Sequence, residues 1–567
     1  MRSIWVLSIA VFVLLAGGCN HAEPTLVADT IYSGGDIVTV NDSQPVAEAV
    51  AVKDGRIVAV GAMQDVRQLQ GESTRLIDLE GRTLVPGFVD GHAHLGGFGV
   101  QAVGANLLAA PDGQANSIDD LVAELQEFAN GPDIGLTGWI FGMGYDDAVL
   151  AEKRHPTRAD LDRVSTDVPV MAIHISGHFI SVNSVGLQKI GYSADTVDPE
   201  GGVIRRQPGS REPNGVLEEL AALPSLFAIL TPSNPDDQAY FMSRGLDIAK
   251  SFGYTTVQEG RASAPVHHAL AATAKGGGFD IDVVSYIDYA ARQAINSEWH
   301  GRNYTDRYRI GGMKITLDGS PQGRTAWRTE PYLLPPDGQK AGYKGYPAIP
   351  DDEIVAGLFD EAYRNGWQVL THANGDAAVD QLIRAITPAH NEYGPGDRRH
   401  VLIHGQFVRQ DQLDSLKELQ IMPSLFPMHT FYWGDWYEQI VGPVQAQRIS
   451  PMKSAIKRGM VVTSHTDAPV ALPNLMRVMS ATVNRTSRSG KVMGPDERLS
   501  PEEALKTITL WGAYQHFEED DKGSIEVGKL ADLVILSDNP LTVDRMTIGE
   551  IRVLETIKED KSVYRFQ

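Results

Sequence analysis

Short apolar runs alternate with amphipathic stretches through the middle of the chain. The clearest buried-strand candidates are residues 170–173, 255–257, 313–315, 368–370, 401–403 and 461–463. Helical periodicity marks residues 118–128, 352–365 and 501–508, between or after these runs. Repeated βα units predict an α/β fold, a (β/α)8 TIM-like barrel within residues 85–515. Because that span exceeds the usual length of about 250 residues, we expect insertions near 110–230 and at 328–350.

The two ends of the chain have a different pattern, in which short β-rich runs are separated by turns. These runs are residues 37–40, 49–52, 57–60 and 83–85 at one end and 533–536, 551–554 and 562–564 at the other. Lys53-Asp54-Gly55-Arg56 has the composition of a hairpin turn. The pattern predicts one small β-sandwich domain, built from residues 20–84 and 516–567, beside the barrel.

The first residues have the pattern of an export signal. A basic start at Met1-Arg2 precedes an apolar stretch, residues 4–15, that is too short to span a bilayer. It ends in Leu14-Leu15-Ala16-Gly17-Gly18-Cys19, which resembles a bacterial lipobox and predicts a signal peptide over residues 1–19 with a lipidated Cys19. Ala16 departs from the usual Leu, so a plain cleaved signal is the alternative. We therefore expect an exported protein, lipid-anchored in the cell envelope on its periplasmic or extracellular face, or secreted if Cys19 carries no lipid.

The amino-acid composition limits which partners and which metal ligands are possible. The net charge of −22, from 72 acidic and 50 basic residues, argues against nucleic acid, so we expect a small-molecule substrate and membrane contact only through the lipid. Oligomeric state is left open. Cys19 is the single cysteine, which excludes an intrachain disulfide and a multi-thiolate site. A metal would have to be bound by His, Asp, Glu or a modified Lys.

Candidate catalytic residues lie where the predicted strands end. In His92-Ala93-His94, the alternation of a strand directs both imidazoles to one face. His372, His404 and Asp467 each follow a separate apolar run. Each of these histidines alone could be a structural residue. Because the active sites of such barrels lie at the carboxyl ends of the strands, their joint placement favours a metal-dependent hydrolase.

At these residues the sequence resembles the amidohydrolase superfamily, and within it amidohydrolase family 3, the YtcJ-like group, along nearly the whole chain after the signal. The other matching segments are His155-Pro156-Thr157-Arg158-Ala159-Asp160, Asp318-Gly319-Ser320 and residues 523–534. The resemblance implies that His92 and His94 bind one metal ion and that His372 and His404 bind a second. It also implies that Asp467 is both a metal ligand and the catalytic base.

Two-metal members of this superfamily need a bridging anion, commonly a carboxylated lysine. Lys314 is our candidate, because carboxylation would turn a cation repelled by the metals into a bridging carboxylate. The alternative is an ordinary Lys314 paired with Asp318 or another acid. Glu259 is the rival bridging residue, with a surface or supporting role as its own alternative. Ligand chemistry favours one or two divalent ions, with zinc first and iron or manganese as alternatives.

Three further residues, His178, Arg324 and His429, are candidates for substrate contacts. His178 resembles the family's substrate-side histidine, with a structural role as its alternative. Arg324 could orient an acidic or carbonyl group, or form an ion pair that supports the 328–350 loop. His429 precedes the aromatic cluster 431–436, which would either line an apolar pocket or pack in the core. His465 is interpreted as structural, although its alternation with Asp467 could place it beside the metals.

The predicted function is therefore hydrolysis of a non-peptide C–N bond by metal-activated water. The resemblance implies an amide substrate, either an N-acyl or an N-formyl amine, whereas the residue spacing supports only metal-assisted hydrolysis. The alternatives are a lactone or ester hydrolase, a deaminase on the same scaffold, and a non-catalytic binding lipoprotein.

Overall fold

The computed structural model of the protein describes residues 26–199, 201–222, 224–226, 234–336 and 338–567. The predicted signal peptide, with its lipobox and Cys19, lies outside the described residues. None of the helices in the described ranges is both long and apolar enough to cross a membrane.

The central sheet consists of eight described strands that pair in parallel and in chain order. They are Phe88–Val89, Tyr254–Ala262, Asp282–Asp288, Tyr308–Thr316, Gln368–Ala373, His400–His404, Ile421–Leu425 and Thr463–Ser464. Beyond the last strand, the backbone N–H of Asp467 donates a hydrogen bond to the carbonyl oxygen of His92 at 3.1 Å, so the segments that follow the two edge strands are joined. The predicted α/β, TIM-barrel-like fold is thereby confirmed.

Helices follow most of these strands. They are Leu95–Val103, Pro235–Ser251, Ala264–Lys275, Asp352–Asn365, Asp376–Tyr393, Gln410–Glu418, Met428–Val441, Pro443–Ala446, Met452–Lys457, Leu475–Asn484, Pro501–Thr507 and Leu510–Gln515. Local sequence sets their ends: the Asp351 side chain caps the helix Asp352–Asn365, and Gly366 ends it with a φ of 68°. Residues 317–351, apart from 337, form no helix or extended strand, in agreement with the insertion predicted at 328–350.

An inserted segment forms its own sheet, of six strands within the described ranges. These are Ala105–Asn106, Ile140–Tyr145, Val170–His174, Phe179–Val182, Gly202–Arg206 and Pro213–Glu219, with the helices Ile118–Ala129, Arg158–Leu161 and Ser184–Ile190 alongside. The interpretation of residues 170–173 as one of the repeated barrel strands was therefore wrong, because this strand pairs with Ile140–Tyr145 and Phe179–Val182.

The two chain ends do combine. In the described residues, one eight-stranded sheet contains Thr30–Val38, Val46–Lys53, Arg56–Gly61, Arg75–Asp78, Thr83–Pro86, Leu533–Leu536, Val553–Lys558 and Lys561–Arg565. Thr83–Pro86 pairs antiparallel with Leu533–Leu536, and it leads directly into the first barrel strand. The division of this sheet into two packed layers, as a sandwich would require, stays a prediction.

A buried ion network joins the barrel to the terminal sheet. The carboxylate of Asp282, at the amino end of a barrel strand, lies 2.5 Å from the Nζ atom of Lys558 and 2.6 Å from that of Lys522. Lys558 also pairs with Asp532 and Lys522 with Glu518, both at 2.6 Å. Since the strands are parallel, this network lies at the end of the barrel opposite the strand-end histidines.

Candidate active site

His92, His94 and Asp467 come together just beyond the first and last barrel strands. The first strand ends at Val89, so His92 and His94 lie in the segment after it, whereas the sequence had predicted them within a strand. The Asp90 carboxylate accepts the backbone N–H groups of His92 and Gln258, both at 3.1 Å, and so fixes the chain after the first strand. On the other side, the His94 N–H donates to the Ala468 carbonyl at 2.9 Å. The backbone of this corner is therefore held by hydrogen bonds to both neighbouring strands.

The side chains of His92, His94 and Asp467 form a compact group of potential metal ligands, whose ligand atoms all lie within 4.8 Å of one another. The Asp467 Oδ1 atom is 3.7 Å from His92 Nε2 and 3.5 Å from His94 Nε2. His92 is fully buried, whereas His94 is 30% exposed. Burial lowers the pKa of His94, but the nearby carboxylates of Asp467 and Glu259 outweigh burial and raise it to about 9.

The protonation of His92 is set by Gln258, a residue that sequence reasoning did not single out. The Gln258 Oε1 atom lies 2.6 Å from His92 Nδ1, and the Gln258 amide group donates to the Gly91 carbonyl. Because Oε1 only accepts hydrogen bonds, Nδ1 carries the proton and Nε2 presents its lone pair to the ligand group. A metal-binding histidine is commonly held by such a second hydrogen bond.

The side-chain amine of Lys314 lies beside the same group of potential metal ligands. Its Nζ atom is 2.9 Å from His92 Nε2, and the side chain is buried. Burial lowers the pKa of the Lys314 amine from its ordinary 10.5 to about 7, which makes the unprotonated amine available. The structure does not pair Lys314 with Asp318, since the Asp318 carboxylate accepts backbone N–H groups from Trp327, Asn374 and Gly375.

Glu259, the rival bridging residue, lies on the outer side of His94. Its Oε1 atom is 3.6 Å from His94 Nδ1, and its carboxylate accepts the N–H groups of Gly96 and Arg261 at 3.0 and 3.2 Å. The contacts of Glu259 are therefore with His94 and nearby backbone, whereas those of Lys314 are with His92.

His404 and His372 lie beside this group, with their ring centres 4.6 Å apart. His404 Nε2 is 3.9 Å from Asp467 Oδ2, and its Nδ1 is 3.1 Å from Nε2 of His465. His465 in turn contacts the Ser424 hydroxyl at 3.0 Å. This chain supports the structural reading of His465, because its hydrogen bond orients the ring of His404.

The ring of His372 faces the same cavity but contacts a neighbouring loop. Its Nε2 atom lies 3.1 Å from the Asn374 amide nitrogen and 3.3 Å from the Gly319 carbonyl oxygen. Burial holds the pKa of His372 well below its ordinary value, so the ring is neutral and able to act as a ligand.

A cavity lies over these histidines and contains two of the three predicted substrate contacts. It is lined by Ser176, His178, Ser320, Gln322, His372, Asn374, His404, Phe426, His429, Asp467 and Val470. The third predicted contact, Arg324, is not among the described lining residues. Its guanidinium lies over the Trp436 ring at 5.3 Å and donates to the Pro335 carbonyl at 3.0 Å, in agreement with the alternative that it supports the 328–350 loop.

His178 lines the cavity, and its ring is held by Glu219, a residue that the sequence analysis missed. The Glu219 carboxylate lies 2.8 Å from His178 Nδ1 and also accepts the Thr325 hydroxyl at 3.1 Å. Burial lowers the pKa of His178, but the negative charge and hydrogen bond of Glu219 outweigh burial and raise it. The pair thus provides a hydrogen-bond donor in the wall of the cavity.

His429 both packs in the core and lines the cavity, the two roles that the sequence left open. Its ring packs against Phe426 at 4.6 Å and Trp433 at 5.8 Å, and it also lines the cavity. Its Nδ1 atom is buried and has no hydrogen-bond partner among the described residues. Burial holds the pKa of His429 well below its ordinary value, so the ring is uncharged.

The donor set fits a divalent metal ion. It consists of imidazole nitrogens and a carboxylate, with the His92 lone pair already directed inward, which is the chemistry that zinc prefers in catalytic sites. A bound divalent ion would lower the pKa of water toward about 7 and polarise a carbonyl group.

A parallel barrel-like sheet with such a ligand group at its carboxyl end defines a metal-dependent hydrolase. Residues 75–564 match the model of the Amidohydrolase family, Amidohydro_3, and the chain belongs to this family. It is therefore an enzyme of the class that hydrolyses carbon–nitrogen bonds other than peptide bonds, as the sequence predicted.

Relatives agree with this placement over almost the full chain. The putative amidohydrolase YtcJ of Bacillus subtilis is 28% identical over 548 residues, which cover 94% of this chain and 99% of that protein. The N-substituted formamide deformylase of Arthrobacter pascens is 26% identical over 554 residues, covering 94% and 97%. The fold is similar to that of an uncharacterised metal-dependent hydrolase from Pyrococcus horikoshii, whose structure has a TM-score of 0.71 at 24% identity and covers 91% of this chain and 99% of that one.

Proposed function

We propose that the chain hydrolyses the C–N bond of a non-peptide amide, namely an N-acyl or N-formyl amine. The observation that carries this proposal is the convergence of His92, His94, Lys314 and Asp467 beneath a cavity lined by His178, which pairs with Glu219. The similarity to an N-substituted formamide deformylase over 94% of the chain favours this substrate class.

The roles of the side chains follow from their positions. Asp467 contacts both His92 and His94, so its carboxylate can take a proton from the attacking water and return it to the leaving amine. His178, held by Glu219, can donate a hydrogen bond to the substrate carbonyl oxygen as negative charge develops there. The buried rings of Phe426 and His429 would exclude water from one side of the cavity.

For the cofactor we propose zinc, as one or two ions. His92, His94 and Asp467 would bind the first ion, and His372 and His404 would contribute the second set. Lys314 would bridge the two as a carbamate, since its buried amine is directed at the ligand group. Incubation with 13C-labelled bicarbonate should give a carbamate carbon resonance in the wild type and none in Lys314→Arg, because a guanidinium does not form a stable carbamate. A spectrum without that resonance, from zinc-loaded protein, would leave Glu259 as the bridging candidate.

The substrate proposal is tested by incubating zinc-loaded protein with formamides, acyl-amino acids, lactones, esters and adenine-type amines. We expect turnover of amides, and an Asp467→Asn variant that loses about 10²–10⁴-fold in kcat. Asp414→Asn, at an exposed ion pair with Arg458, is the matched control and should keep full activity. Turnover of esters or lactones alone would reject the amide assignment, and deamination alone would assign the deaminase alternative. Absence of bound metal together with full activity of Asp467→Asn would reject this mechanism.

We further propose that the protein is exported and anchored through a lipid on Cys19. The basis is the lipobox-like segment 14–19. Labelled palmitate should be incorporated into the wild type and not into Cys19→Ser, and the variant should be recovered in the soluble fraction. Soluble wild-type protein without label would favour the plain cleaved signal.

A further inference from the structure

A second group of metal-ligating side chains lies in the inserted segment, on other elements than the strands that lead to the catalytic histidines. Asp146 and Asp147 follow the strand Ile140–Tyr145, His174 ends the neighbouring strand Val170–His174, and His155 lies in the loop between these strands. His155 opens the segment 155–160 that the sequence analysis singled out, and the catalytic site described above does not use it.

The geometry of this cluster converges on the carboxylate of Asp147. His174 Nε2 lies 3.1 Å from Asp147 Oδ1, and His155 Nε2 lies 3.8 Å from Asp147 Oδ2. Ligand atoms of Asp146, Asp147 and His174 all lie within 4.8 Å of one another. Ligands about 2.0–2.2 Å from a tetrahedral ion lie roughly 3.3–3.6 Å apart, so the separations of 3.1 and 3.8 Å at Asp147 are close to those of a zinc site.

Both imidazoles are oriented by hydroxyl groups on the far side of their rings. Nδ1 of His155 contacts the Tyr145 hydroxyl at 2.9 Å, and Nδ1 of His174 contacts the Ser176 hydroxyl at 2.8 Å and accepts the Ser176 backbone N–H at 3.2 Å. Each ring therefore directs Nε2 toward Asp147. In His174 this nitrogen carries the proton that is donated to Asp147, and metal binding would release that proton. Protein metal sites commonly have this arrangement, in which one ring nitrogen binds the ion and the other is held by a hydrogen bond.

Charge also favours a cation at this point. His155 is almost fully buried, and its Nε2 stops 3.8 Å from Asp147, beyond hydrogen-bond distance. Asp146 and Asp147 both bring carboxylate oxygens to this point, so a bound cation would balance their charge. The charge of the Arg205 guanidinium, which is hydrogen-bonded to Glu218, also acts on Asp147.

We propose that His155, His174 and Asp147, with Asp146 as the fourth group, bind a structural zinc ion. Asp146 accepts the indole N–H of Trp433 at 2.8 Å, which connects the cluster to the barrel helix Met428–Val441. The ion would thus fix the inserted sheet, and with it the cavity residue Ser176, against the barrel.

The site is tested with zinc chloride alone on chelator-stripped, full-length protein. Crystals grown with zinc and measured at the zinc absorption edge should show an anomalous peak between Asp147, His155 and His174, separate from any peak at His92 and His94. Native mass spectrometry should show that Asp147→Asn and His155→Gln each bind one zinc equivalent fewer than the wild type.

His267→Gln is the matched control, because His267 Nδ1 also contacts a tyrosine hydroxyl, that of Tyr308, at 2.9 Å, whereas among the described residues its ring neighbours are His268 and Tyr308 and no carboxylate pairs with it. This variant should keep the wild-type zinc count, and zinc should raise its melting temperature as in the wild type. The two test variants should show a smaller rise. Zinc-saturated wild-type crystals without a peak at Asp147 would overturn the proposal, as would an unchanged zinc count in a folded His155→Gln variant.

Discussion

The amide oxygen of Gln258 lies 2.6 Å from Nδ1 of His92, on the opposite side of the imidazole from Lys314 and Asp467. A residue of the second barrel strand thus determines which nitrogen of a first-strand histidine is free to bind a metal ion. Gln258 does not touch the substrate cavity, so its influence on catalysis passes through His92.

The first prediction removes this hydrogen bond. Gln258→Leu should weaken zinc binding by about 10- to 100-fold, because the His92 ring loses the acceptor that fixes its tautomer. Competition with a zinc-chelating dye measures the change. Gln258→Glu keeps an acceptor at the same place and should bind zinc at least as tightly as the wild type. Equal affinities for the Leu variant and the wild type would show that the hydrogen bond has no such role.

The second prediction concerns Gly260, which lies against the same ring. A Cβ atom at Gly260 would lie 2.3 Å from the Cε1 atom of His92 and 2.6 Å from Nδ1, so the ring must move. Gly260→Ala should therefore lower both zinc affinity and the free energy of unfolding, the latter by about 1–3 kcal/mol. In the exposed helix position Gly357 a Cβ atom meets nothing within 4 Å, and Gly357→Ala should instead stabilise the protein by about 1 kcal/mol. Chemical denaturation of both variants measures the difference.

The third prediction concerns the Glu219–His178 pair. Glu219→Gln removes the negative charge that raises the pKa of His178, so that pKa should fall. If the protonated ring donates to the substrate, activity is lost as pH rises through this pKa, and the alkaline limb of kcat/KM should move to lower pH. The loss of kcat/KM should reach up to about 10²–10³-fold, the cost of one oxyanion donor.

Glu218→Gln is the control for this experiment, because the neighbouring carboxylate pairs with Arg205 instead of a cavity residue. Its alkaline limb should stay where it is in the wild type. An unmoved limb in Glu219→Gln as well would show that His178 does not act in its protonated form.

The fourth prediction concerns the ion network below the barrel. Asp282→Asn removes the negative charge that balances the buried ammonium groups of Lys522 and Lys558. It should therefore lower the free energy of unfolding by about 3–5 kcal/mol. Asp521→Asn, at an exposed pair with Arg56, should cost at most about 1 kcal/mol. Denaturant titration at neutral pH measures the free energy of unfolding of both variants. Similar decreases in Asp282→Asn and Asp521→Asn would mean that the network contributes no more than a surface ion pair.

The same network predicts acid sensitivity. Burial raises the pKa of Glu518, but the charges of Lys522 and Arg309 outweigh burial and lower it from its ordinary 4.5 to about 2. A carboxyl group with a lowered pKa stabilises the folded state above its unfolded value and loses this contribution as pH falls. The unfolding free energy of the wild type should therefore fall between pH 4.5 and 2, with a smaller decrease in Glu518→Gln.

Structural features that repeat along the chain could be predicted from the sequence. Apolar runs predicted most of the barrel strands, and polar residues after them predicted His372, His404 and Asp467 at one end of the sheet. The same pattern misled at residues 170–173, because a buried parallel strand has the same composition in an inserted sheet as in a barrel.

Hydrogen-bond partners that are far apart in the sequence could not be predicted from local patterns. Gln258 meets His92 across 166 residues and Glu219 meets His178 across 41, so no local pattern connects them. Arg324 was placed near the substrate by residue type alone, whereas stacking on Trp436 turns its guanidinium toward the 328–350 loop.

The pairing of Thr83–Pro86 with Leu533–Leu536 has a consequence for synthesis on the ribosome. The strand that leads into the barrel lacks one of its neighbours until the far end of the chain has been translated, and an unpaired strand edge invites association with other chains. A nascent polypeptide arrested before Leu533 should consequently depend on chaperones to a degree that the finished protein does not.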